Sequence, residues 1–348
     1  MAAPHIVIGR PIGAAHPPFV IAELSANHLG SLERAHAIID AAADAGCDAV
    51  KLQTYTPAAM TLASSRGDFH IADGPWQGRS LWDLYDEAHT PWDWHARLFA
   101  HGAARGLIVF STPFDEDAVA RLDRLGAPAF KIASFELVDL ELIACAARTR
   151  KPMILSTGMA SDAEIVEAVD TARRHGAGGV ALLHCVSGYP TPIEQTNLRR
   201  LDAIVRHDTV VGISDHSPGA IVPIAAVARG ASIIEKHLTL ARADGGPDGA
   251  FSLEPAEMAE VVRGAQLAWR ALGDGSARRP AAEAGSRKFR RSLYAIDDIA
   301  PGGELNRGNV RAIRPGFGLP PRELPAVLGK RARIAIARGT ALAWELIE

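Results

Sequence analysis

The stretch SIIEKHLTL, Ser232–Leu240, opens like a buried β-strand and then sets a glutamate, a lysine and a histidine in a row. Three ionisable groups at the end of a hydrophobic strand need an explanation, because unpaired buried charge is strongly destabilising. Side chains alternate along a strand, so Glu235 and His237 share one face and Lys236 takes the other. Which sheet receives this strand depends on the others like it. Seven more runs of the same kind precede it: FVIAEL (19–24), AVKLQT (49–54), LIVFST (107–112), AFKIAS (129–134), PMILST (152–157), VALLHC (180–185) and VVGISD (210–215).

Segments of helical period separate these runs, such as SLERAHAIIDAAADAG after the first and SDAEIVEAVDTARRHG after the fifth. The latter begins with Ser161 and Glu164 in capping-box spacing and stops at Gly176. Eight strand–helix repeats predict an α/β chain folded as a (β/α)8 TIM barrel, a fold of about 250 residues, here over residues 1–272. An open, doubly wound sheet is the rival that the same alternation allows. Between the second and third strands the segment Pro57–Thr90, containing GPWQGRSLWDLYDEAHTPW, is long enough for a lid or specificity element. GDGSARRPAAEAGSRKFRR, 273–291, reads as a linker. The rest, 292–348, reads as a small β-rich domain cut by PGG, RPGFGLPP and ARGT turns.

The 348 residues are 48% hydrophobic, as expected of a well-cored protein. With 37 Lys and Arg against 40 Asp and Glu, there is no basic excess to bind nucleic acid. The run Arg287–Arg291 reads as a solvated hinge rather than a nucleic-acid patch. Cys47, Cys145 and Cys185 are too scattered for a disulfide framework or a CxxC site. MAAPHIVIGRPIG lacks the basic start and apolar run of a signal peptide, and no apolar segment reaches membrane-spanning length. A cytoplasmic protein without membrane or nucleic-acid partners is the expectation.

The active site of a (β/α)8 barrel lies at the C-terminal ends of its strands. Those ends carry Glu23; Lys51 and Gln53; Ser111 and Thr112; Lys131 and Ser134; Ser156 and Thr157; His184; Ser214, Asp215 and His216; Glu235, Lys236 and His237. Any one charged tip is explained by an ion pair or by solvent. All eight ends being polar points to a ligand-binding mouth. His216 and His237, on neighbouring strands, suit either a divalent metal or plain hydrogen bonding. Lys51 and Lys131, with Ser134, Ser156 and Ser214, suit phosphate and carboxylate groups. Other signals were weaker. GAGG at 176–179 precedes a strand and is no dinucleotide fingerprint, there is no P-loop, and His184 and Cys185 face opposite ways, which argues against a nucleophile–base pair. The aromatic residues of 76–94 read as packing for their own loop.

In order, IAELSANHLGS, VKLQTYT, FSTPFD, FKIASFEL, LSTGMAS, LLHCVSGYPTP, GISDHS and IIEKHLT closely resemble the sialic acid synthase family, whose members condense phosphoenolpyruvate with an amino-sugar aldehyde. RRSLYAIDDIAPGGELNRGNVRAIRPGFGLPP resembles the antifreeze-like (SAF) domain of those enzymes. AELSANH and the GRSLWDLYDEAHTPWDWH insertion resemble the branch that forms pseudaminic acid from 2,4-diacetamido-2,4,6-trideoxy-L-altrose. The alternative is an N-acetylneuraminate or legionaminate synthase acting on a different amino sugar.

The resemblance implies that His216 and His237 hold manganese, magnesium or cobalt. It makes Lys51, Lys131, Ser134, Ser156 and Ser214 phosphoenolpyruvate contacts, with Thr112 a weaker one. Ser187 stands where neuraminate synthases usually carry Asn, at another such contact. Glu23, Gln53, Tyr189, Glu235 and Asp248 fall at positions tied to the sugar or to proton transfer, with Glu23 the first choice of acid or base and Glu235 the second. A domain-swapped homodimer is also implied, in which the partner's small domain closes the mouth and supplies the arginine that Arg314 matches. Two other classes remain: a Schiff-base aldolase using Lys51 or Lys131, and a non-catalytic scaffold.

Overall fold

The computed structural model describes residues 4–277 and 280–348. Residues 1–3 of the N-terminal segment and Arg278 and Arg279 of the 273–291 segment lie outside the described residues. Two compact units are present, Met1–Gly273 and Asp274–Glu348.

In the first unit, an antiparallel hairpin of β1 (Ile6–Ile8) and β2 (Arg10–Ile12) precedes the barrel strands. These are β3 (Phe19–Glu23), β4 (Ala49–Thr54), β5 (Ile108–Pro113), β6 (Phe130–Ile132), β7 (Met153–Ser156), β8 (Val180–Cys185), β9 (Val210–Ser214) and β10 (Ile233–His237). All eight pair in parallel, and β10 closes on β3. The barrel is closed, and the open doubly wound sheet is excluded. Five strands are one to three residues shorter than their sequence runs.

Alternation divides each strand between two cores. Phe19, Ile21, Phe110, Ile154, Leu183 and Ile233 point into the barrel, where Ile6, Ile8 and Ile12 of the hairpin join them. Val20, Leu52, Ile132, Leu155, Leu182 and Ile234 point outward against the helix ring. The hairpin was not anticipated: its strands are three residues each, and Gly9, at φ 68°, makes the reversal a side chain would resist. The helix Asp162–Arg174 starts with the anticipated capping box of Ser161 and Glu164, and Gly176 has positive φ just beyond its end. The long insertion folds into two short helices, Pro57–Met60 and Leu81–Ala88, the second capped by Ser80.

In the second unit β11 (Ser292–Ala295) pairs antiparallel with β12 (Val310–Ile313) over a core of Leu293, Leu305, Val310, Val327 and Leu342. The segment read as a linker contains a 3-10 helix, Ala281–Phe289, exposed along its length. No helix among the described residues is long and apolar enough to cross a membrane.

Candidate active site

The register of the sheet assembles the site. His237 pairs with Glu23 and Glu23 with Lys51 across β10, β3 and β4, and Glu235 pairs with Ser214 of β9. Parity then aims all five residues into the barrel mouth, above the apolar interior. Glu23, Lys51, Lys131 and Glu235 are each 5% exposed or less. The Lys51 ammonium touches the Glu23 carboxylate, lies 3.9 Å from Glu235 and donates to Thr112 at 3.0 Å. Lys131 is 3.5 Å from Glu235, which also accepts from Ser214 Oγ at 3.0 Å.

Two carboxylates and two ammonium groups thus balance in formal charge but not in environment. Burial pushes both carboxyls up. For Glu235 the attraction of Lys131 and Lys51, with the Ser214 hydrogen bond, outweighs burial and holds the group below its usual range. For Glu23 burial prevails over Lys51 and, with the nearby negative Glu235, moves it up to about 7. Such a split between neighbouring carboxyls is the arrangement that separates a proton carrier from a fixed charge.

Hydrogen bonding is incomplete at this mouth. Glu23 Oε1, Glu235 Oε2, Ser156 Oγ and His237 Nδ1 are buried without a hydrogen-bond partner. Native interiors rarely leave such groups unpaired, and a cluster of them is the signature of a ligand site. Beside them the Gly158 N–H donates to Ser134 Oγ at 3.1 Å. A Cβ on Gly158 would sit 2.7 Å from that hydroxyl and closer still to Ser187 Oγ, so only glycine lets the two serines meet here. Lys131, Ser134, Ser156 and Ser187 therefore line one side of the mouth.

On the opposite side Gln53 Nε2 donates to Ser25 Oγ at 2.9 Å, and Ser25 in turn donates to Asp248. Burial raises the Asp248 carboxyl despite that bond. Tyr189 lies tilted 4.4 Å from His216, and Phe251 lies 5.1 Å from both Tyr189 and His237. Trp76, from the insertion, reaches the same wall at 5.8 Å from Tyr189. This aromatic residue does more than pack its own loop.

The rings of His216 and His237 are 5.4 Å apart. His216 Nδ1 faces the Val186 carbonyl at 3.1 Å, and since a carbonyl can only accept, the proton sits on Nδ1 and Nε2 is left with its lone pair. Burial, with the His216 ring and the Lys51 ammonium nearby, holds His237 well below its usual value and keeps it neutral. Among the described residues no third His, Cys, Asp or Glu joins them to make a three-residue ligand group. The residues present fit an ion held by two imidazole nitrogens with the rest of its shell open.

Not every polar strand end serves the mouth. Ser111, Thr157, His184, Asp215 and Lys236 face outward, which corrects the reading of all eight ends as converging. Thr54 bridges Ser111 and His95, His184 Nε2 donates to the Thr196 carbonyl at 2.7 Å, and Thr157 donates to the Leu183 carbonyl. Lys236 is 1% exposed and donates to Asp215 at 2.9 Å and to the Ser217 carbonyl. Arg314 lies exposed just after β12 in the second unit.

Sequence reasoning passed over Ser25 and Glu136, and set Cys185 aside with His184 as a nucleophile–base pair. Ser25 sits at φ 47°, an uncommon conformation that aims its hydroxyl at Asp248. Cys185 is the inward-facing end of β8, 3.9 Å from Ser187 Oγ. Glu136 follows Ser134 in FKIASFEL, and burial raises its carboxyl to about 7. Strand parity was enough to find Cys185; the other two lie in short 3-10 helices after β3 and β6, whose path alternation does not predict.

The NeuB family model matches residues 38–277 and the SAF domain model residues 290–348. The pseudaminic acid synthase of Campylobacter jejuni is 42% identical, covering 93% of this chain and 95% of its own. That of Helicobacter pylori is 41% identical, covering 95% and 98%. The crystal structure of N-acetylneuraminic acid (sialic acid) synthetase from Leptospira borgpetersenii, in complex with citrate, superposes with a TM-score of 0.74 at 32% identity, over 83% of this chain and 96% of that one.

Proposed function

The chain belongs to the NeuB family, and on that premise we propose that it condenses phosphoenolpyruvate with 2,4-diacetamido-2,4,6-trideoxy-L-altrose, giving pseudaminic acid and phosphate with C–O cleavage. The observation that carries this reading is the near full-length identity to two pseudaminic acid synthases. The unpaired buried groups at the mouth supply what a chemical step needs.

Lys51 and Lys131 neutralise the phosphate and carboxylate of phosphoenolpyruvate, and Thr112, Ser134, Ser156, Ser187 and Ser214 supply hydroxyl donors around them. Gln53, Tyr189 and Asp248 hold the sugar on the other side. Holding two small reactants in bonding reach provides much of the acceleration. C3 of phosphoenolpyruvate attacks the aldehyde carbon, leaving positive charge at C2; water adds there, and the tetrahedral carbon expels phosphate. Glu23, poised to gain or lose a proton near neutrality, takes the proton from that water, while Glu235 stays ionised and stabilises the charge at C2. When bound at His216 and His237, a divalent cation such as manganese, magnesium or cobalt supplies Lewis-acid polarisation of the aldehyde.

A domain-swapped homodimer, with Arg314 of one copy completing the sugar site of the other, and a cytoplasmic location extend the proposal. The free cysteines, two of them buried, agree with a reducing compartment. Phosphate release from phosphoenolpyruvate, measured with manganese and with EDTA, tests the reaction. Release with the altrose sugar and not with N-acetylmannosamine or the diacetamido D-mannose sugar is the expected result. Preference for either of the others would make this a neuraminate or legionaminate synthase, and silence with all three would overturn the activity.

A further inference from the structure

We propose that Trp76 sets sugar specificity by completing an apolar wall against the 6-methyl end of the substrate, an inference that rests on the reading above. Three loops meet to build the wall: Trp76 from the insertion after β4, Tyr189 after β8 and Phe251 after β10. Trp76 lies 5.8 Å from the Tyr189 ring and 6.5 Å from Phe251, and those two are 5.1 Å from each other. The wall runs continuously from the candidate ligands outward, since Tyr189 packs tilted against His216 and Phe251 abuts His237. Trp76 contacts neither histidine ring and stands one ring farther out. An aldehyde carbon held beside the histidines therefore directs the sugar's carbon chain along the wall, with C6 at the tryptophan.

The chemistry of that end favours a methyl. The indole N–H is already used, donating to the Pro247 carbonyl at 2.8 Å. The indole therefore offers its face and no donor to a hydroxymethyl group, whose hydroxyl would lose water without a partner. Trp76 is only half-buried, so apolar surface remains for a ligand to cover. Aromatic walls of this kind discriminate modestly, by about 10- to 100-fold for one small substituent.

The same indole bond also reaches the loop that carries Asp248, so a purely positioning role is the competing account, and the test separates them. kcat and KM are measured for the 6-deoxy diacetamido sugar and its 6-hydroxy counterpart with the wild type, Trp76→Phe, Trp76→Ala and Trp76→Gln. The wild type is expected to prefer the 6-deoxy sugar by about 10- to 100-fold, and Trp76→Phe to keep that ratio. Trp76→Ala and Trp76→Gln should bring it toward unity by raising KM for the 6-deoxy sugar, with the 6-hydroxy sugar changed less than about threefold. If the alanine variant does not fold, the phenylalanine and glutamine variants carry the comparison. Equal losses for both sugars, or a wild-type ratio near one, would overturn the specificity role. A wild type that releases phosphate with neither sugar would overturn the functional reading itself.

Discussion

Two buried lysine–carboxylate pairs lie at the top of the barrel, Glu23 with Lys51 on the inside and Asp215 with Lys236 on the outside. They have the same composition and similar burial, and they differ in what surrounds them. Asp215 accepts from Lys236, from the Ser217 N–H and from the Ser217 hydroxyl, each within 3.0 Å. Its charge is fully answered by the protein. Glu23 has the Lys51 ammonium on one oxygen and no partner on Oε1, and the carboxyl is pushed up to about 7. The outer pair holds a loop to a strand; the inner one leaves a carboxylate oxygen unpartnered at the barrel mouth. One residue of register, from Glu235 to Lys236, separates the two surroundings.

That contrast can be attacked at either pair. The largest expected effect is on the inner side, where Lys131→Met should lower turnover by about 100-fold or more and raise KM for phosphoenolpyruvate, as steady-state kinetics would read. A variant within a few-fold of wild type would remove Lys131 from the substrate site. On the outer side, Lys236→Met strips a buried carboxylate of its partner and should cost about 3 kcal/mol in denaturant unfolding, with turnover per folded molecule unchanged.

The pH dependence gives a finer probe. Burial raises the folded-state pKa of Glu23 from 4.5 to about 7, so between those values the folded protein binds more protons than the unfolded chain. This contribution to stability is therefore fully present below pH 4.5 and is lost as pH rises through about 7. Glu136 acts in the same direction over the same window. Glu23→Gln should flatten, without abolishing, the fall in stability between pH 4.5 and 7; an unchanged slope would contradict the raised pKa. The smallest effect, about 1 kcal/mol with no change in turnover, is expected for Ser161→Ala, which removes a helix cap remote from both pairs.

The fold was legible because each barrel strand carries its own period and because eight of them alternate with helices. Parity along single strands also placed Glu235 and His237 together and turned Lys236 away, as the structure has them. What the sequence hid depends on partners far along the chain. Ser25 finds Asp248 from 223 residues away, and Trp76 finds Pro247 from 171. The hairpin escaped notice since three-residue strands leave too little pattern, although Ile6, Ile8 and Ile12 with Gly9 between them carry the signal in retrospect. Asp215 and His184 were counted toward the mouth because polarity at a strand end was weighed before facing.

The central claim, that the inner pair does chemistry and the outer pair holds structure, is tested most directly by the same acid-to-amide change on each side. Phosphate release per folded molecule, with melting temperature recorded alongside, would be compared for Glu23→Gln and Asp215→Asn. The account predicts that Glu23→Gln loses about 100-fold or more in turnover while melting near the wild type, and that Asp215→Asn melts earlier while its folded fraction turns over normally. A Glu23→Gln enzyme at wild-type speed, or an Asp215→Asn enzyme that is inactive yet fully stable, would contradict it.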